Sequence, residues 1–278
     1  MSLHITGREV LDSDQLAAVR ALVRAAPGAA DTPPISEQGM LALTEPGQHL
    51  LAVDGDSVLG YAQLADGAAE LVAADAEVAG ALLRQLPAGY RLWAHGEPSV
   101  ANQAARRAGL RPTRTLLQLR ATLAEVAERP LPEGIRIRPF VPGQDDAAWL
   151  AVNARAFAGH PEQGRWGQHE LDLRLRADWF DPAGFLLAVS GDRLLGYHWT
   201  KVHAELDPPA GEVYVLGVDP DAQGMRLGSA LLAAGLRHLL SRGLHTVQLY
   251  VEQDNAAAVR LYQRAGFTTH SADIQYAG

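Results

Sequence analysis

The sequence predicts a mixed α/β (α+β) fold that occurs twice in the chain, each copy being a central mixed sheet flanked by helices. Three observations carry this prediction: a hairpin-like segment that recurs, a helix ending that recurs downstream of it, and a succession of strand and helix patterns in the second half. The 278 residues, 47% of them hydrophobic, suffice for two domains with separate cores.

The repeat is most visible in two segments of twelve residues. Residues 50–61 align without a gap on residues 186–197, and nine of the twelve positions are identical. Each segment has an apolar run, a Gly-Asp pair and a second apolar run, a pattern typical of a β-hairpin. Further along, 107–110 resembles 264–267, and each of these segments places a glycine just past a helical pattern. Two matches in the same order predict tandem copies of one domain.

The boundary between the copies is predicted at residues 128–134. Pro130, Pro132 and Gly134 interrupt both helix and strand patterns there. We therefore expect an N-terminal domain over 1–130 and a C-terminal domain over 135–278.

The second copy has a readable order of elements. We predict a strand over 135–138, a helix over 145–157, the hairpin, and a strand over 212–218. A helix over 227–241 should end at Gly243, since glycine favours helix termination. A strand over 247–251, a helix over 255–265 and a strand opening at Phe267 complete the domain.

The most informative segment is residues 213–230, in which a strand pattern leads into a glycine-containing loop that opens a helix. The first amides of a helix have no partner within the helix and attract anions, so this arrangement suits a pyrophosphate. It is not a Walker A loop, because no lysine followed by serine or threonine comes after the second glycine.

This loop resembles the coenzyme A loop of the GCN5-related N-acetyltransferases (GNAT), Gln/Arg-x-x-Gly-x-Gly/Ala. Gln223 and Gly228 match its ends. The resemblance continues through 249–255 and 258–267. It implies acetyl-coenzyme A as co-substrate, held by the loop, by the end of the preceding strand and by the start of the last helix: Leu216, Gly217, Val218, Gln223, Gly224, Met225, Arg226, Leu227, Gly228, Ser229, Asn255, Ala256, Ala257, Ala258, Val259 and Arg260.

One position departs from the family pattern, since Arg226 replaces the middle glycine. If the loop requires a positive φ there, arginine costs about 1 kcal/mol or more. Its guanidinium, alternatively, contacts a phosphate and compensates. Both readings remain open at the level of sequence.

Amide formation from a thioester requires a base for the amine, support for the carbonyl oxygen and a proton for the thiolate. Glu212, at the start of the strand that leads to the loop, is the candidate base. The resemblance places Tyr262 near the sulfur, where its phenol is the candidate acid. The backbone amide of Val218 is the candidate contact for the carbonyl oxygen. With no cysteine and no serine-elbow motif, we expect no acyl-enzyme.

A narrower similarity involves residues 153–164, 198–203 and 211–218. These segments resemble the tandem GNAT enzymes that acetylate the cysteinyl amine of a cysteine–glucosamine–inositol precursor. The resemblance implies a small-molecule amine as substrate, with contacts from Glu37, Glu162, Lys201, Glu212 and Tyr250. Two alternatives stay open: a GNAT enzyme with another acceptor, such as an aminoglycoside or a protein N-terminus, and a non-catalytic acyl-coenzyme A sensor.

The first copy lacks the phosphate loop. Residues 70–80, where the loop should lie, contain no matching motif, and Asp75 and Glu77 fall near the expected helix start. Carboxylates at this end of a helix repel pyrophosphate. We therefore expect the N-terminal domain to be non-catalytic and to bind coenzyme A poorly or not at all.

Composition and charge exclude several other classes of function. A formal net charge of -8 gives no general attraction for nucleic acid, and no apolar run approaches the ~20 residues that span a bilayer. The absence of cysteine excludes thiolate metal sites, and His198 and His203 are expected on opposite faces of a strand, so no metal is predicted. We expect a bacterial cytoplasmic protein that is a monomer.

Overall fold

The computed structural model describes residues 3–26, 32–65, 67–160 and 163–278, without the side chain of Glu37. The described chain forms two compact units. Unit 1 contains the residues up to Gln118 together with Val251–Asn255 and Thr269–Gly278, and unit 2 contains Leu119–Tyr250 and Ala256–Thr268. These bounds differ from the predicted division into 1–130 and 135–278, because the end of the chain belongs to unit 1.

Unit 1 is built on a sheet whose first four strands are antiparallel. The strands are β1 (His4–Arg8), β2 (Gln48–Asp54), β3 (Ser57–Ala65), β4 (Ala68–Ala73), β5 (Arg91–Ala94), β6 (Arg111–Thr122) and β12 (Thr268–Ala277). β5 pairs with β4 in parallel and with β12 in antiparallel orientation, and β6 follows β12 in the sheet. The helices are α1 (Ser13–Ala25), α2 (Glu37–Ala42), α3 (Ala76–Leu83) and α4 (Val100–Arg107).

Unit 2 repeats this arrangement. Its strands are β7 (Arg136–Pro139), β8 (Phe185–Ser190), β9 (Arg193–His203), β10 (Ala210–Val218) and β11 (Thr246–Glu252), of which the first four are antiparallel and the fifth is parallel to β10. Its helices are α5 (Asp146–Ala156), α6 (Gln168–Leu175), α7 (Leu227–Ser241) and α8 (Ala256–Arg264). The mixed α/β fold predicted from the sequence is confirmed.

The two hairpins that match in sequence also match in geometry. Each turns at a glycine with positive φ, 58° at Gly55 and 56° at Gly191. Each also carries a register shift at the same place, at 52–53 in the first hairpin and at 188–189 in the second. A shared irregularity of this kind comes from a shared local sequence, since regular hairpins need no bulge.

The two matching helix ends agree as well. Gly109 and Gly266 have φ values of 75° and 91°. The residue after each glycine donates its N–H to a carbonyl five positions earlier, from Leu110 to Ala105 at 3.0 Å and from Phe267 to Tyr262 at 3.1 Å. This is the bonding of a Schellman motif, which requires the left-handed conformation that glycine adopts without strain. The repeat therefore extends from the first hairpin to the end of the last helix.

An aromatic cluster forms the core of unit 2 on one face of its sheet. The rings of Phe185 and Trp199 stack with centroids 4.2 Å apart, and Trp149 meets both edge-on. On the opposite face lies α7, which buries Leu227, Leu231 and further residues at helical spacing. Edge-to-face and stacked rings contribute about 0.5–1.5 kcal/mol each beyond their burial. The strands between these two layers, β9 and β10, are therefore covered on both faces.

Unit 1 contains a buried cluster of charged side chains. The Nδ1 of His95 lies 3.0 Å from a carboxylate oxygen of Asp273 on β12, and its Nε2 lies 3.3 Å from Glu70 on β4. Glu70 in turn accepts hydrogen bonds from the hydroxyl and backbone N–H of Ser36, at 2.7 and 3.0 Å. The cluster joins the last strand of the chain to the N-terminus of α2, which begins directly after Ser36.

Candidate active site

Strand β10 parts from its parallel neighbour at Glu212. Within the described part of the chain, β10 pairs with β11 at Gly211–Val247 and Glu212–Gln248 and nowhere beyond. On its other edge β10 stays paired with β9, and Asp219 donates its N–H to Leu195 at 2.9 Å. Because bonded and non-bonded pairs alternate along an antiparallel ladder, Leu216 and Val218 direct their N–H groups away from β9, into the opening.

The loop after β10 presents a second set of amides. Gly224 has φ of 81°. Arg226 occupies the N-cap position, immediately before the first residue of α7, and has φ of 61° and ψ of 18°. Arg226 is the one non-glycine residue with positive φ in the described ranges. Its side chain does not cap the helix, so the first amides of α7 keep the partial positive charge that attracts phosphate. The sequence left open whether this position has a positive φ, and the structure shows that it does.

Gly228, in the first turn of α7, is not required by the protein's own packing. A Cβ placed there would lie 3.6 Å from Leu261 and 3.9 Å from Val218, which are ordinary contacts. Gly228 also lacks a positive φ. A glycine that neither sterics nor backbone conformation demands is consistent with close approach of a ligand to the helix terminus.

The conformation of Arg226 makes a prediction about stability. Substituting Arg226→Gly should raise the free energy of unfolding by up to about 1 kcal/mol, because glycine adopts the left-handed conformation without a Cβ clash. The measurement is urea denaturation followed by circular dichroism, with Arg237→Gly, inside α7, as the control that should destabilise. Equal or lower stability of Arg226→Gly would show that the guanidinium makes a compensating contact.

Glu212 lies where β10 and β11 part, and it has a histidine partner that the sequence analysis missed. Its carboxylate oxygen is 2.5 Å from Nε2 of His203, whose Nδ1 is 2.8 Å from Glu205. Burial alone lowers the pKa of His203, but the hydrogen bond and charge of Glu212, aided by Glu205, raise it above its ordinary value. His198 lies on the opposite face, as predicted, with Nδ1 2.9 Å from the Leu231 carbonyl.

Lys201, one of the predicted substrate contacts, is the direct cross-strand partner of Glu212 in the β9–β10 ladder. Its side chain is buried, with Nζ 5.0 Å from the ring centre of Trp179 and 5.7 Å from that of Tyr214. The hydroxyl of Tyr214 accepts a hydrogen bond from Arg174 at 2.7 Å. A cation held among aromatic rings beside a carboxylate forms a wall suited to polar, hydroxylated ligands.

Tyr262 lies in α8 and is 7% exposed. Burial raises the pKa of its phenol, so the hydroxyl keeps its proton throughout the physiological range. Its ring meets that of Phe267 edge-on, with centroids 5.9 Å apart. Asn255 directly precedes α8, and the predicted coenzyme A residues from Ala256 to Arg260 form its first turns.

The other predicted substrate contacts are Tyr250, Glu162 and Glu37. Tyr250 lies on β11 and is 39% exposed. Glu162 lies outside the described residues. Glu37 is the first residue of α2, and its side chain is not among the described ones.

No group of three or more His, Asp or Glu side chains able to hold a metal occurs in the described ranges. No described helix is long and apolar enough to cross a membrane.

The N-terminal copy closes its equivalent anion site with its own side chain. Asp75 caps α3 by accepting hydrogen bonds from the backbone N–H groups of Glu77 and Val78, both at 2.9 Å. The matching helix ends also align Tyr262 with Ala105, so no phenol is present in α4 at that position. A groove between α3 and α4, lined in part by Arg84 and Arg107, remains.

We accordingly predict one tight equivalent of acetyl-coenzyme A per chain. The carboxylate of Asp75 occupies the amides that a pyrophosphate would need, and its charge repels the ligand. Isothermal titration calorimetry measures the stoichiometry directly. A second tight equivalent that disappears in Arg84→Glu would contradict this prediction and place binding in the groove of the N-terminal copy.

Comparison with known proteins agrees with this geometry. Residues 152–267 match the model of the Acetyltransferase (GNAT) family. Among solved structures, a GCN5-related N-acetyltransferase from Sphaerobacter thermophilus superposes with a TM-score of 0.71 at 22% identity, covering 99% of this chain and 95% of that one. A tandem GNAT protein from the clavulanic acid biosynthesis pathway gives 0.70 at 15% identity, covering 100% and 98%. At these identities the likeness shows the fold alone.

The splayed strand, the amide-lined loop and the family match define an acetyl-coenzyme A-dependent N-acetyltransferase of the GNAT class. Closer relatives narrow the assignment. A mycothiol acetyltransferase from Streptomyces avermitilis is 50% identical, covering 96% of this chain and 92% of the relative, and one from Geodermatophilus obscurus is 50% identical, covering 96% and 95%. The chain belongs to the mycothiol acetyltransferase family.

Proposed function

We propose that this enzyme transfers the acetyl group of acetyl-coenzyme A to the cysteinyl amine of the cysteine–glucosamine–inositol precursor, giving mycothiol and coenzyme A. The observation that carries the proposal is the position of Glu212, a buried carboxylate at the point where β10 and β11 part, upstream of the inward-facing amides of Leu216 and Val218. This position supports the proposal, because a carboxylate and backbone N–H donors on one strand are the groups that amide formation from a thioester requires.

A group of the protein is assigned to each step of the proposed reaction. Glu212 takes a proton from the ammonium, and the freed amine attacks the thioester carbonyl. The N–H of Val218 donates to the carbonyl oxygen as negative charge develops there. Tyr262 is the proposed donor of a proton to the departing thiolate, and its phenol regains a proton from solvent. Overall the ammonium loses two protons, of which one ends on coenzyme A and one in solvent.

Binding of acetyl-coenzyme A is assigned to the loop and the helix it opens. The first amides of α7, from Leu227 to Ser229, would hold the pyrophosphate, and the start of α8 would line the pantetheine arm. Lys201 and Tyr250 are proposed substrate contacts on neighbouring strands, together with Glu37 and Glu162. Lysine donates to sugar hydroxyls, and carboxylates suit an ammonium group.

We also propose that the enzyme is a monomer in the bacterial cytoplasm, with no nucleic acid or membrane partner. The net charge of -8 supports the absence of a nucleic acid partner, because nucleic acid is itself polyanionic. Size-exclusion chromatography with light scattering tests the monomer, and a mass of twice 29.7 kDa would refute it.

The test of the proposed function is direct. The protein is incubated with acetyl-coenzyme A and the cysteine–glucosamine–inositol amine, and mass spectrometry follows the product. The expected product carries one acetyl group on nitrogen and retains a free thiol that reacts with an alkylating agent. Thiol reagents cannot be used to follow coenzyme A release, since the acceptor has a thiol of its own. Binding of acetyl-coenzyme A without this product would favour another amine acceptor.

A further inference from the structure

From the contacts around Glu212 we infer that His203 is a positioning residue for the catalytic base. The inference rests on the proposed function, because it assigns Glu212 to proton abstraction. His203 bridges a buried carboxylate, whose side chain is 10% exposed, and the 69% exposed carboxylate of Glu205. The two distances, 2.5 Å and 2.8 Å, occupy both ring nitrogens with acceptors.

The backbone fixes this arrangement. In the β9–β10 ladder, Glu212 faces Lys201 and Ala210 faces His203, so the two β9 side chains lie on the same sheet face as Glu212. Lys201 extends toward Trp179 and Tyr214, whereas His203 turns to the carboxylate. An imidazole that donates to one carboxylate oxygen holds the plane of the carboxyl group. The other oxygen is then oriented for the incoming ammonium.

Charge explains why a histidine serves here. Glu205, Glu212, His203 and Lys201 together carry no net charge when the imidazole is protonated. The two carboxylates raise the pKa of His203 against the opposing effects of burial and of Lys201. An imidazolium favours the ionised form of the carboxylate it contacts, and a carboxylate must be ionised to accept the ammonium proton.

The proposal is tested with three variants in the acetylation assay. His203→Ala should lower kcat/KM for the acceptor amine about 10- to 100-fold, as expected for a displaced catalytic group, and leave the KM for acetyl-coenzyme A within about twofold. His203→Gln, which retains a donor, should recover part of this loss. The matched control is His238→Ala, which removes a similarly buried histidine of α7 that lies 3.3 Å from its own carboxylate partner, Asp181. Its activity should stay within about twofold of wild type.

Added imidazole separates positioning from a structural role. It should restore activity to His203→Ala, with the restored rate following the imidazolium fraction, and should leave His238→Ala unchanged. A His203→Ala enzyme that keeps full activity, or that loses activity without any response to imidazole while remaining folded, would overturn the assignment. An inactive wild type would instead overturn the proposed function.

A measurement that needs no turnover tests the pair itself. In ¹⁵N-histidine NMR spectra, Glu212→Gln should move the titration of His203 to lower pH, since the carboxylate that favours the imidazolium is gone. Glu128→Gln, at an exposed carboxylate of the same unit, should not move it. An unchanged titration of His203 in Glu212→Gln would show that the two residues are not coupled, and the inference would fail whatever the acceptor is.

Discussion

Replacement of the proposed base, Glu212→Gln, should lower kcat for acetyl transfer by about 10²- to 10⁴-fold, the range that general-base catalysis supplies. The substitution keeps the shape of the side chain and its contact with His203 but removes the site that accepts a proton. Acetyl-coenzyme A should bind as in the wild type, because the loop and the start of α7 are untouched.

Single-turnover measurements with preloaded acetyl-coenzyme A isolate the chemical step. Raising the pH should recover part of the lost rate, since more of the acceptor amine is then deprotonated without help. Glu128→Gln, which removes an exposed carboxylate 3.2 Å from Arg237, is the control for a change of net charge. A Glu212→Gln enzyme within threefold of the wild type would show that water or another group takes the proton.

Removal of the imidazole in unit 1 by His95→Gln should lower the free energy of unfolding by about 3–5 kcal/mol. This is the usual effect of removing one partner of a buried ion pair, because the other charge is left uncompensated. Glu70 and Asp273 would be left in the interior without the cation between them. Urea denaturation followed by circular dichroism measures the loss. The double variant His95→Gln/Asp273→Asn should be less destabilised than the sum of the two single changes, because it removes an unpaired charge. Additive losses would show that the pair is not coupled.

The same cluster makes stability depend on pH in a defined direction. Burial lowers the pKa of His95, but the hydrogen bonds and charges of Asp273 and Glu70 outweigh it and raise the pKa to about 10. A raised pKa means that the folded state binds the proton more tightly than the unfolded chain. The stabilisation is therefore complete below about pH 6.5, the ordinary value for histidine, and is lost progressively toward pH 10. The His95→Gln variant should lack this alkaline decline.

Much of the fold was readable from sequence because the signals are local. The predicted helix over 227–241 coincides with α7, and Gly243 follows it with φ of 79°. The two hairpins were predicted from nine identities and share even their bulges. The family pattern identified Arg226 as the exceptional position of the loop, but its positive φ came from the structure.

The features that sequence reasoning missed depend on how the strands pair. The link between His203 and Glu212 depends on the register of β9 against β10, which pairs Glu212 with Lys201 and Ala210 with His203 and which sequence spacing alone does not fix. Likewise, a strand was expected to open at Phe267, but nothing local shows which edge it joins. His95 and Asp273 are 178 positions apart, so their contact was not visible in any sequence window.

The placement of β12 has a consequence for how the two copies can be handled experimentally. A single cut near residue 130 leaves the first fragment without the strand that borders β5 and without the carboxylate of Asp273. That fragment would expose an open sheet edge, which favours aggregation. A first fragment that keeps this strand would instead require a circularly permuted gene, in which residues 268–278 precede residue 3. The two halves of the sequence resemble each other, but the strand that borders β5 in unit 1 is encoded at the end of the second half.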